Sequence, residues 1–208
     1  GYSLRWSGQY EFMERAQARL TMIVPLTLAL IVLLLFLNFR RMMPVMLILG
    51  TLPLALTGGL WFLHVLDYRL SVAAGVGFIA LAGVAVEIGV IMLVYLEQAL
   101  KARRALCVEE GRDFTHQDLR QAVIEGALLR IRPVIMTVSV VIAGLLPIML
   151  GDGTGSEVMR RIAAPMIGGM TSATGLTLLV LPAAFLVWQG VILRNARRQP
   201  LPKTAEVE

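Results

Sequence analysis

A chain of 208 residues that is 57% hydrophobic and only 16% charged, with a mean hydropathy of +0.75, cannot cover its surface with polar groups in water. That excludes a soluble globular enzyme and points to a bilayer as the solvent. The net charge of +5 does not indicate nucleic acid, because the basic residues flank apolar stretches instead of forming a stripe interleaved with aromatics.

Five stretches reach the roughly 20 apolar residues that a spanning helix needs: 21–39, 45–64, 70–96, 133–150 and 162–193. The expected fold is therefore an all-α membrane bundle over 21–193. Residues 1–20 are polar and read as the last turns of an external domain leading into the first span. Tyr10, Met13, Ala16 and Leu20 fall roughly on one helical face. Pro25 lies in the early turns of that span, where proline is tolerated. Arg40, Arg41 and Pro44 mark an inner turn. The second span holds Pro53 and the Gly58-Gly59 pair, which bend a helix or admit a neighbour, with Trp61 near its outer end.

The third span is the richest in small residues, among them Ala73, Gly75, Gly77, Ala80, Gly83, Ala85 and Gly89, the composition of a helix packed inside a bundle. A mixed-charge cytoplasmic loop follows over 97–132. Within it, 115–129 carries Leu119, Val123 and Leu128 among charges and reads either as an amphipathic surface helix or as a solvated connector. Pro133 opens the fourth span, a Gly-rich polar turn follows at 151–156, and Pro165 and Pro182 predict kinks in the long fifth span. Residues 194–208 form a basic tail.

Thirteen Lys and Arg lie in 40–44, 97–132 and 194–208, against six in 1–20, 65–69 and 151–161. The positive-inside bias then puts the amino terminus outside and the carboxy terminus in the cytoplasm. An outside amino terminus needs export, yet the chain opens at Gly1 with no initiator Met and no signal sequence, so it is expected to be a fragment. Cys107, the only cysteine, falls in the cytoplasmic loop and is expected to be incidental.

Glu87 is the one ionisable residue well away from the ends of a span. A charge at that depth costs from about 2.5 kcal/mol upward, so such an acid is neutral, paired or buried between helices. Ala80 and Gly83 share its face at helical spacing and would admit a neighbouring helix. A moving cation there could load and unload a proton. The alternative is a Glu that only locks helices together. Among the eleven methionines, Met159, Met166 and Met170 share a face with Ala163. Thioethers suit copper(I) and silver(I), while a stripe at this spacing is more often the mark of packing. There is no HExxH, CxxC, GxSxG or phosphate-binding loop, and no cofactor is expected.

Several stretches resemble the inner-membrane permease of heavy-metal efflux pumps in the resistance-nodulation-division superfamily. They are Trp6-Ser7-Gly8-Gln9-Tyr10-Glu11, the run from Gly77 through Ala85 into Glu87, Leu129-Arg130-Ile131-Arg132-Pro133, Ala143-Gly144-Leu145-Leu146-Pro147, and Gly155 through Met170 with its Ile167-Gly168-Gly169. The resemblance implies the eighth to twelfth helices of a twelve-helix permease, the rest of that chain being absent. It implies a homotrimer in the bacterial inner membrane, working with a periplasmic adaptor and an outer-membrane channel to exchange metal cations for protons. Glu87 then matches a relay Glu and Met159 a methionine of the copper and silver exporters. Those exporters are favoured over the zinc, cobalt and cadmium branch. One departure is Val134, where the family commonly has a Lys of the relay.

Overall fold

The computed structural model describes residues 9–198, residue 154 excepted; of the side chains of 9–13, 16–17 and 195–198 nothing is said. The stretch from Trp6 to Gly8, the Tyr10, Met13 and Ala16 side chains and residues 199–208 of the tail thus lie outside the description. The described residues form five helices and no strand: α1 (Gln9–Phe39), α2 (Met42–Val65), α3 (Val72–Glu109), α4 (His116–Leu150) and α5 (Ser156–Arg198). All five contain a stretch long and apolar enough to cross a bilayer.

The chain divides into two units after Met46. The first holds α1, a span with many exposed apolar side chains, Leu26, Leu30, Leu34 and Leu37 along one face among them, whereas Leu35 is buried. It ends in a tight turn where Arg40 adopts a positive φ of 51°.

The second unit, from Leu47 on, packs α3, α4 and α5 on one another with the remainder of α2. Because lipid tails are as apolar as leucine, close packing holds such helices together. Glycines allow it: a Cβ on Gly77 would come within 2.3 Å of the Ile162 carbonyl oxygen, and one on Gly168 within 2.2 Å of the Phe62 Cβ. Leu81, Ile88, Val134, Val138 and Met170 fill the space between α3, α4 and α5.

The segment 97–132 departs from both sequence expectations. α3 continues to Glu109, and residues 116–132 are the beginning of α4, so no separate surface helix or connector is formed. Leu119, Ala122, Val123 and Gly126 are buried along one stripe, while Leu128 is 60% exposed. Pro133 therefore lies inside α4. The turn between the helices is short and heavily bonded. Thr115 caps α4, and Asp118 returns a bond to the Thr115 backbone N–H at 3.0 Å, closing a capping box.

Gly77→Val should destabilise the bundle by about 1–3 kcal/mol through overpacking, read as a lower thermal midpoint of the purified protein. Gly144→Ala, with open space around it, should stay within about 1 kcal/mol of the parent.

Candidate functional site

α3 has two unlike faces. Leu81, Ala85, Met92, Leu93 and Leu96 are each at most 1% exposed, recurring at the three- and four-residue intervals of one helical stripe. Val76, Ile79, Gly83 and Glu87 lie on the other side and are exposed, and a Cβ on Gly83 would meet nothing within 4 Å. The small residues are thus divided: Gly77 admits α5, while Gly83 sits beside Glu87 on the open face.

Glu87 lies fifteen residues, or roughly 22 Å, along α3 from Val72. Within the second unit no side chain covers it, and among the described residues it takes part in no hydrogen bond or ion pair. α2, α4 and α5 therefore supply no contact through which Glu87 could lock them to α3.

The methionine stripe separates in the same way. Met170 is fully buried, and Met166 is packed against the Leu81 cluster, so both serve as core. Met159 is 56% exposed in the first turn of α5. The contact of Gly77 with Ile162 sets the register between α3 and α5, placing Met159 level with Ala74. The two residues singled out from sequence are consequently about 20 Å apart along the bundle axis and do not form one site. Among the described residues no three His, Cys, Asp or Glu side chains converge at metal-binding distance.

Val134 is 4% exposed and packs in the cluster that contains Ile88, the residue after Glu87. The next turn of α4 toward its amino-terminal end carries Arg130. Its guanidinium stacks on the Tyr95 ring, 4.8 Å from the centroid, and its Nε is buried with no hydrogen-bond partner. Sequence reading gave Arg130 no role of its own. The signal was present: Arg130 falls between Gly126 and Val134 in a stripe at four-residue intervals that also includes Val138, so it occupies a position of the packed face.

Below this level an ionic cluster ties α3 to α4. Arg112 donates to both Asp118 oxygens at 2.9 Å, Arg103 Nε lies 3.8 Å from Asp118, and Arg103 also reaches Glu125 at 3.7 Å. α4 rises roughly 25 Å between His116 and Pro133, so Asp118 stands outside the spanning part. The Thr115 hydroxyl and backbone N–H, then Arg112, hold its carboxyl well below the usual carboxylate range. Glu110 first, then Asp118, raises Arg112 above the ordinary guanidinium value.

The first 189 residues match the model of the AcrB/AcrD/AcrF family. The cation efflux system protein CusA of Escherichia coli K12 is 53% identical over 189 residues, 90% of this chain and 18% of CusA. The cobalt-zinc-cadmium resistance protein CzcA of Cupriavidus metallidurans is 42% identical over 89% of the chain and 16% of its own length. A crystal structure of a heavy metal efflux pump superimposes with a TM-score of 0.73 at 42% identity, covering 89% of this chain and 17% of that one. The chain therefore spans less than a fifth of the proteins it matches.

Because Asp118 is held in its charged form when folded, its stabilising contribution is complete above the unfolded carboxylate range of about 4 and is lost as pH falls below it. The stability difference between the parent and Asp118→Ala should hold steady from pH 7 to 5 and narrow below about pH 4, as measured by thermal unfolding in buffered detergent.

Proposed function

This chain belongs to the AcrB/AcrD/AcrF family of resistance-nodulation-division permeases, and from that premise we propose that it is the carboxy-terminal membrane part of a proton-coupled exporter of copper(I) or silver(I). Glu87 carries the reading. It is an acid deep in an apolar span, on a face that α2, α4 and α5 leave open. Ionising it against hydrocarbon costs at least about 2.5 kcal/mol. Another part of the permease must therefore cover it, and the carboxyl ionises when that cover brings a cation near. Alternation between a neutral and a charged Glu87 couples helix movement to one proton. Arg130, held over Tyr95 two turns closer to the cytoplasm, is a fixed positive charge in the packed seam between α3 and α4.

Two observations support the choice of cargo. Met159 offers an exposed thioether at the outer end of α5, a ligand that favours soft monovalent ions. The chain is also more similar to CusA, at 53% identity, than to the cobalt-zinc-cadmium protein, at 42%. The complete permease works as a homotrimer in the bacterial inner membrane with a periplasmic adaptor and an outer-membrane channel, its carboxy terminus in the cytoplasm.

Glu87→Gln in the complete permease should abolish copper and silver resistance in cells while the protein accumulates normally in the membrane. Full resistance in that variant would remove Glu87 from the relay, and loss of the folded protein would assign it a structural part instead. Met159→Leu, which nearly conserves volume, should lower resistance to both ions at normal protein level. Unchanged resistance would exclude Met159 from the metal path.

A further inference from the structure

A cavity of about 500 Å³ opens where the start of α4 meets the end of α5. Its walls are Leu186, Val187, Val191 and Leu193, with His116 and Arg194 as its polar members. Gly190 keeps it open, since a Cβ there would stand 3.1 Å from the His116 Nε2. Neither the ionic cluster nor the open face of α3 uses this space.

Its level in the bundle identifies what it can meet. From Val72 to Arg104, α3 rises roughly 48 Å. A tilt of about 20° reduces that to about 45 Å, the thickness of a bilayer with its headgroups. Arg104 therefore lies at the inner headgroup boundary. Arg104 also donates to Gln189 at 3.5 Å, which puts Gly190 and the cavity at that same boundary. α5 shows the same boundary independently. It carries no ionisable side chain from Ile162 to Leu193, places Trp188 one turn before the end, and then presents Arg194, the order of an aromatic belt and a basic anchor at an interface.

The arrangement is amphipathic along the membrane normal. Leu186 and Val187 lie on the bilayer side, and Arg194 and the first turn of α4 on the cytoplasmic side. The cationic guanidinium, the imidazole and the positive end of the α4 dipole all face one region, and the volume falls in the range of small-ligand sites. We propose that this cavity binds the headgroup of an anionic phospholipid of the inner leaflet, its phosphate held by Arg194 and His116 and its acyl chains lying on Leu186 and Val187. The inference rests on the membrane reading and is independent of the cargo.

The complete permease, purified and placed in nanodiscs of equal parts phosphatidylcholine and phosphatidylglycerol, then released into detergent, should retain phosphatidylglycerol selectively in native mass spectra. Arg194→Gln should lower that retention about fivefold, the effect of one basic residue at a membrane surface. Gly190→Leu, which fills the cavity, should do the same, whereas Arg120→Gln on the exposed side of α4 should not. Equal retention of the two lipids by the parent, or parental retention by both cavity variants, overturns the proposal. A third arm supplies inorganic phosphate to lipid-free protein: thermal protection by phosphate equal to that by phosphatidylglycerol would mark a soluble-anion site and likewise overturn it.

Discussion

The free energy of a carboxyl group in hydrocarbon governs how the rest of this structure is understood. Glu87 cannot be exposed to lipid as a carboxylate without a cost of at least about 2.5 kcal/mol. Yet α3 turns it away from every helix of the second unit and gives the packed side to Leu81, Ala85, Met92 and Leu96. A helix built for stability alone would have placed an apolar residue there. The glycine beside it, with nothing within 4 Å of a Cβ, leaves room for a backbone to approach. Charge, position and space together describe a surface that a further helix can cover.

The opposite face explains why α3 can bear this. Gly77 meets the Ile162 carbonyl, Gly126 receives Leu96 and Ala99, and Gly169 receives Leu81, so α3 is held along its length by α4 and α5. Its carboxy-terminal end is fixed by the Arg103, Arg112 and Asp118 cluster. Under the proposed relay, a three-helix frame with Glu87 on its free side would let a change of charge act on the covering partner and not on the frame. Val134 contributes to that rigidity, since it fills the packed core next to Ile88 with a side chain that has nothing to titrate.

The helical spans and the singular position of Glu87 were legible because hydropathy and the cost of buried charge act locally along the chain. The segment 97–132 was less so. Charges at 97–132 suggested a loop, but the same residues form two helices whose polar sides are solvated while Leu119 and Val123 pack. On α4 the charged run marks neither a helix boundary nor the depth of the span, since Val134, just past it, packs level with Ile88. Met166 and Met170 shared a stripe with Met159, yet only packing could separate core methionines from an exposed one. Arg130 was hidden for the converse reason, its charge suggesting solvent while its stripe position and Tyr95 held it against the bundle.

The central claim is that Glu87 changes its protonation when metal moves, and infrared difference spectroscopy reads this directly. Spectra of the complete permease recorded with and without silver(I) should contain a protonated-carboxyl band that changes on metal addition and is missing from Glu87→Gln. A spectrum with no carboxyl change on metal addition, or with the same change in the Gln variant, would contradict the account.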